Sequence, residues 1–141
     1  MTVDLVIFTV KDEKLHVLLI KRKNEPFKGC LAFPDGFVDQ DESLEHAAER
    51  ELREETGLVG VSLEQLSAFG DPGRDPRGHT VSVVYAALVS SDRKIKAGDD
   101  AATAKWVEVS HAHKFKLAFD HKKILRLAVC WEWLGCRCCR R

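Results

Sequence analysis

Residues 43–57 read Ser-Leu-Glu-His-Ala-Ala-Glu-Arg-Glu-Leu-Arg-Glu-Glu-Thr-Gly, and the way this stretch winds decides how the rest of the chain is read. It has no proline and no glycine before Gly57, and it is rich in Ala, Leu, Glu and Arg, which lose little on entering a helix. Ser43 or Asp41 can cap its start, and Gly57 sits where a left-handed C-terminal cap belongs. The spacing predicts a helix over 43–56. At about 100° per residue, Leu44, Ala47 and Ala48 form one stripe with Leu52 at its edge. Continued by i, i+4, i+7 and i+11, that stripe reaches Glu51 and Glu55, with Glu54 on its shoulder, while His46, Arg50 and Arg53 point elsewhere. The buried face is therefore apolar in its first half and acidic in its second.

A merely solvated acidic face would lie opposite the alanines, and these glutamates lie in line with them. Glu51, Glu54 and Glu55 also stand at i, i+3 and i+4, roughly 5–6 Å apart between Cβ atoms. At an effective dielectric near 20, each such like-charge pair costs on the order of 3 kcal/mol. Protonation, arginine pairing or a bound cation can relieve this. Because Arg50 and Arg53 lean away, a divalent cation is the favoured remedy, and a structural ion-pair network is the alternative. Hard oxygen ligands favour Mg²⁺ or Mn²⁺ over Zn²⁺. Such an ion keeps waters and meets substrate phosphates, so the residues alone point to metal-assisted phosphate or pyrophosphate hydrolysis.

Outward from the helix, Thr2–Val10 and Leu15–Ile20 read as two strands joined by the polar turn Lys11–Lys14. Asn24–Asp41, with Pro26, Gly29, Pro34 and Gly36, reads as loop holding one short extended piece. Val61–Phe69 is a candidate strand, and Asp71–His79 is a loop with two prolines and two glycines. Thr80–Val89 is apolar almost throughout, hence a central strand covered on both faces. Ser90–Thr103 is a polar connection, Ala104–Val109 another strand, and Phe119–Leu134 repeats Ile124, Leu127, Ala128, Trp131 and Leu134 at helical spacing. The expected fold class is α/β: a mixed sheet between an early and a late helix, an α/β/α sandwich.

The 141 residues suit a single domain, expected over 1–135. A balance of 22 basic and 22 acidic residues lacks the excess of a nucleic-acid binder. No apolar run spans a bilayer, and the N-terminus shows no secretory leader, so a cytoplasmic protein without membrane partners is expected. Cys130, Cys136, Cys138 and Cys139 cluster near the C-terminus without zinc-knuckle spacing. Residues 136–141 are expected to form a disordered Cys/Arg-rich tail with reduced thiols.

From Gly36 to Leu58 the chain reads GFVDQDESLEHAAERELREETGL, which fits every position of G-x5-E-x7-R-E-U-x-E-E-x-G-U, where U is aliphatic. The stretch resembles the Nudix box. That resemblance implies the Nudix fold and hydrolysis of a nucleoside diphosphate linked to a further group. By position, Glu51 and Glu55 resemble the main metal ligands, and Glu54 a further ligand or water-orienting group. Arg50 resembles the arginine that holds a box glutamate, and Glu42 a structural member. Gly36 lies in the loop entering the helix, where a carbonyl such as that of Asp35 joins the metal shell. One departure is Pro34-Asp35-Gly36 where the family commonly has Pro-Gly-Gly. Asp35 either adds a carboxylate to the site or alters the loop.

Outside the box, Phe69-Gly70-Asp71-Pro72, Arg74–Gly78, Val81–Tyr85, Ala97–Ala101 and Leu117–His121 are similar to the ADP-ribose pyrophosphatase branch. Regulators with a related domain continue into a winged helix, for which the residues after this domain are expected to be too few. Arg22, Arg74 and Arg77 are candidates for binding the pyrophosphate or terminal ribose, with Asp75 a possible competitor for Arg77, and Phe33 is a candidate for stacking on the base. Glu54, Asp99 and Asp100 are candidates for the general base; His79, His111, His113 and His121 are set aside, because metal-bound water needs no imidazole. The resemblance further implies a homodimer. The expected activity is ADP-ribose to AMP and ribose 5-phosphate. The alternatives are hydrolysis of another nucleoside-diphosphate sugar or oxidised nucleotide, and a module that senses ADP-ribose without cleaving it.

Overall fold

The first two strands, β1 (Thr2–Lys11) and β2 (Lys14–Arg22), form a hairpin in register Val10↔Leu15 and Lys11↔Lys14. Asp12 and Glu13 turn it with φ of 53° and 62°, the twist that two-residue hairpins favour. The computed structural model describes residues 1–98 and 101–134. Short strands β3 (Leu31–Ala32) and β4 (Asp35–Phe37) are followed by helix α1 (Leu44–Thr56), then β5 (Glu64–Phe69), β6 (Ser82–Leu88) and β7 (Ala101–Glu108). A 3₁₀ helix over Val109–Lys114 leads towards α2 (His121–Leu134).

The sheet is mixed. β1 pairs in parallel with β6, from Thr2↔Ser82 to Phe8↔Leu88, and the other pairings are antiparallel. Beyond the hairpin, β1 and β2 part company. β1 keeps Phe8–Lys11 against β2 and gives its Thr2–Asp4 edge to β4, while β2 gives Ile20 and Lys21 to β3. The Phe33-Pro34 link crosses the resulting wedge, with the Leu5 N–H donating to the Pro34 carbonyl. The approach to α2 closes on the same place, where the Ala118 N–H donates to the Leu31 carbonyl.

Strand alternation sends Val3, Leu5 and Ile7 to one face, where they pack with Ala47, Ala48 and Leu52 of α1. Val6 and Phe8 face the other way and meet Ile124, Leu125 and Ala128 of α2. This is the expected three-layer arrangement, and β6 is buried on both faces as expected of a central strand. Ser43, rather than Asp41, caps α1, accepting the His46 N–H, and Gly57 ends the helix at φ 76°.

Some expectations change. The 24–41 segment contains two strands rather than one extended piece, because parted strands offer two edges. β5 begins at Glu64 and not Val61, and β7 begins at Ala101 because β2 supplies partners that far. Cys30 is free, whereas Cys130 is disulfide-bonded. Cys136, Cys138 and Cys139, like the rest of the 136–141 tail, lie outside the described residues. Among the described residues, no helix is long and apolar enough to cross a membrane.

Candidate active site

The acidic end of α1 faces the wedge between β1 and β2. Glu55 is buried, and its Oε2 accepts the Asp35 N–H at 3.1 Å. The Glu51 side chain is 12% exposed, and its carboxyl lies directly against Gly36. Glu54, on the shoulder of the stripe, has a side chain 52% exposed.

Arg50 does not lean away as its helical position suggests. Its Nε and Nη2 clamp Glu42 at 2.7 and 2.9 Å, Nη1 reaches Glu51 at 2.7 Å and Glu54 at 3.3 Å, and Nη2 also meets the Phe37 carbonyl. A long side chain can swing back over one turn of helix, which the Cα direction alone does not reveal. Arginine pairing therefore does part of the neutralising assigned to a cation. The bonds from Arg50 and the Asp39 N–H hold the Glu42 carboxyl down at about 2. For Glu51 the balance runs the other way: burial, against the pull of Arg50 and with the charges of Glu54 and Asp35 behind it, pushes the carboxyl up to about 7.

The oxygens of Glu51, Glu54 and Glu55 form a hard donor set that suits Mg²⁺ or Mn²⁺. The three are not drawn together around a point. Among the described residues, the one group with all ligand atoms within 4.8 Å of one another is Asp4, Asp35 and His121. Arg50 bonds only Oε1 of Glu51, which leaves the second oxygen of that carboxylate outside the clamp.

A cleft of about 340 Å³ opens beside these carboxylates, lined by Arg22, Asp35, Gly36, Phe37, Glu51, Glu55 and Arg77 among others. The Arg22 guanidinium lies 3.5 Å from Asp35 and 5.0 Å from the Phe119 ring centre. Arg77 is 40% exposed; Asp75 grips it, as the sequence allowed, and it spans the rings of Phe37 and Phe119 at 4.9 and 5.6 Å. Asp35 resolves the departure from the usual glycine: its N–H serves Glu55, while its carboxyl faces Arg22, Asp4 and His121. Burial and the neighbouring Asp4 push that carboxyl up to about 6, against His121, Arg22 and Arg77.

Two candidates fall away. Arg74 is 4% exposed and clamped by Asp120 at 2.7 and 3.0 Å, with Asp4 at 3.6 Å, so it ties the loop to α2 and does not line the cleft. Phe33 is completely buried, stacked on His121 with centroids 4.8 Å apart, and has no face for a base. Asp99 and Asp100 lie outside the described residues. The connection ahead of them docks on the end of α1, with the Lys96 and Gly98 N–H groups donating to the Thr56 and Glu55 carbonyls.

Sequence reasoning missed Phe37, half exposed at the cleft, and Asp4, a buried carboxylate on β1. The signal for Asp4 was available: one acid interrupts the apolar run of a strand. Burial works against its ionisation, but His121, Ser82 and Arg74 outweigh that and hold it below its ordinary value.

A family model described as the NUDIX domain matches residues 1–128. The chain is 47% identical to an ADP-ribose pyrophosphatase of Methanocaldococcus jannaschii over 86% of its own length and 69% of that protein's. It is 42% identical to an ADPR responsive transcriptional repressor of Acinetobacter baylyi, covering 91% of this chain but only 52% of the repressor. Among solved structures, the Nudix domain of Shewanella oneidensis NrtR complexed with ADP ribose matches with a TM-score of 0.84 at 40% identity, over 89% of this chain and 82% of that one. A glutamate-lined helix end, a cleft in the parted sheet and these matches lead to one conclusion: the chain belongs to the Nudix family.

Proposed function

We propose that the protein is a pyrophosphohydrolase that converts ADP-ribose and water to AMP and ribose 5-phosphate, using Mg²⁺ or Mn²⁺. The observation that carries this reading is that one cleft is lined by Glu51 and Glu55 and also by Arg22 and Arg77. A pyrophosphate gripped by the two guanidinium groups lies against the carboxylates. The similarity to the M. jannaschii pyrophosphatase and to a domain complexed with ADP ribose supports the choice of substrate.

Glu51 and Glu55, with the more exposed Glu54 one position before Glu55, would hold the cation, which when bound polarises a phosphoryl oxygen and makes a bound water more acidic. Arg50 ties the acidic end of α1 at Glu51 to Glu42, just ahead of the helix. Arg22 and Arg77 orient the phosphates, and the exposed ring of Phe37 offers a flat apolar surface beside Arg77. Glu54, half exposed beside the two more buried glutamates, is the described group suited to accept the proton of the attacking water. The water oxygen bonds to one phosphorus, the bridging P–O bond breaks, and the leaving phosphate carries away the electron pair.

One observation favours a second reading, a module that binds ADP-ribose without cleaving it: Arg50 already bonds one oxygen of Glu51 and one of Glu54. The experiment that decides is product analysis with Mg²⁺ or Mn²⁺ on ADP-ribose, ADP-sugars, NADH and 8-oxo-dGTP. AMP released preferentially from ADP-ribose supports the hydrolase. Binding without turnover supports the sensor, and preference for another substrate moves the assignment within the family.

A further inference from the structure

Beneath the cleft lies a set of polar side chains that the proposed hydrolysis does not use. His121, at the start of α2, is fully buried and faces Asp4 of β1 and Asp35 of β4. The spacing is that of a metal cradle, but the hydrogen bonds argue against one. The Phe33 N–H meets His121 Nδ1 at 3.1 Å, and a peptide nitrogen can only donate, so Nδ1 bears the lone pair. In the neutral ring the proton is then on Nε2, and a protonated nitrogen does not ligate. Arg74, 3.6 Å from Asp4, adds a fixed positive charge beside the same oxygens.

What remains is a donor. Nε2 lies 3.4 Å from Asp4 Oδ1 and 4.0 Å from Asp35 Oδ2, and both Nε2 and Asp35 Oδ2 are buried without a hydrogen bond. Asp4 Oδ2 accepts from the Ser82 hydroxyl at 2.6 Å while Oδ1 is the oxygen nearer Nε2, and of the two carboxyls only Asp35 keeps a buried oxygen without a hydrogen bond. The nearest cation to Asp35 is Arg22 at 3.5 Å. A void of about 10 Å³ among these groups approaches the size of one water. Phe119, two positions before His121, also serves the cleft: its ring lies under Arg22 and Arg77.

We propose that His121 is a positioning residue: its Nε2–H, through one enclosed water, fixes the Asp35 carboxylate on the cleft floor and so keeps the Asp35 N–H on Glu55. The start of α2 thereby sets the placement of a glutamate on α1, across the sheet. The proposal rests on reading the cleft as the hydrolytic site.

Two substitutions separate the two ring nitrogens. In His121→Asn the amide oxygen stands near the Nδ1 position and accepts from Phe33, whereas in His121→Gln the amide nitrogen reaches the Nε2 position and donates towards Asp35 through the same water. Full chains are compared by ADP-ribose hydrolysis, by thermal unfolding and by the Asp35 amide resonance of the metal-free protein. His121→Asn is expected to lower kcat about tenfold, one hydrogen bond's worth, and to shift that resonance; His121→Gln should restore kcat to within about threefold. In an Asp35→Gly background the Asn substitution should cost less than about twofold. The reverse ranking, or an equal loss that persists without Asp35, overturns the proposal. Long-range ¹H–¹⁵N spectra of the wild type should show the Nε2–H tautomer, and an Nδ1–H tautomer overturns the proposal even if the variants fail to fold. A wild type that cleaves no substrate ends the hydrolase reading alone, since the resonance and tautomer still decide the role of His121.

Discussion

The carboxyl of Glu51 occupies the space that any side chain at Gly36 would need: an ideal Cβ on Gly36 would stand 2.0 Å from Glu51 Cδ and 2.1 Å from Oε1. The obstruction is the far end of a flexible side chain, so Gly36→Ala is accommodated by displacing the glutamate. We expect the variant to fold, with an unfolding midpoint close to that of the wild type. Mn²⁺ affinity and turnover should fall by about 10- to 100-fold, the cost of misorienting a metal ligand, as read by calorimetry and steady-state kinetics.

Glu51→Gln tests the same residue by charge. Because burial has pushed this carboxyl up to about 7, the neutral amide costs the fold little, and the unfolding midpoint should hold or rise. Turnover should drop by roughly 10³-fold or more if this oxygen pair holds the cation. Unchanged kinetics would remove Glu51 from the metal assignment.

Protons and the cation should compete. With the Glu51 carboxyl at about 7 in the metal-free protein, lowering the pH from 8 to 6 loads a proton where the ion must bind. Apparent Mn²⁺ affinity, followed by electron paramagnetic resonance, should weaken across that window. Glu51→Gln should flatten the slope.

Arg50→Lys replaces a forked donor by a point charge and cannot clamp Glu42 while reaching Glu51. The unfolding midpoint should fall by about 5 °C. Glu42 is held at about 2 when folded, so its contribution is full above the ordinary carboxylate pKa and disappears as pH falls through about 2. The gap between wild type and variant should therefore be widest near neutrality and close in acid, as measured by thermal unfolding at stepped pH.

At Gly98 the obstruction is backbone: a Cβ would stand 1.6 Å from the Glu54 carbonyl oxygen and 2.7 Å from its carbon. Neither atom can yield without moving α1. Gly98→Ala should undock the connection, lose the bonds to the Glu55 and Thr56 carbonyls, and destabilise the fold by about 1–3 kcal/mol in urea unfolding.

Local chemistry made the hairpin, α1 and its caps, α2 and the central strand legible before any coordinates, because periodicity and turn residues act within a few positions of themselves. The alignment of Glu51 and Glu55 with the alanines was legible for the same reason, since the helix repeat carries each Cα direction forward along the chain. Helical direction does not fix where a long guanidinium ends, so Arg50 was placed away from the glutamates that it in fact clamps. The fate of Phe33 and Arg74 depended on partners remote in sequence, His121 and Asp120.

By itself the sequence determined that an acidic helix end had to face the sheet and needed positive charge. Tertiary structure alone decided how that need is shared between Arg50 and a cleft open to a cation. It also decided that Asp35, a departure from the family pattern, turns to a buried histidine on another element. The physical reason is reach: side-chain pairing across a parted sheet depends on how strands diverge, and strand divergence is set by the whole packed core rather than by any one stretch of residues.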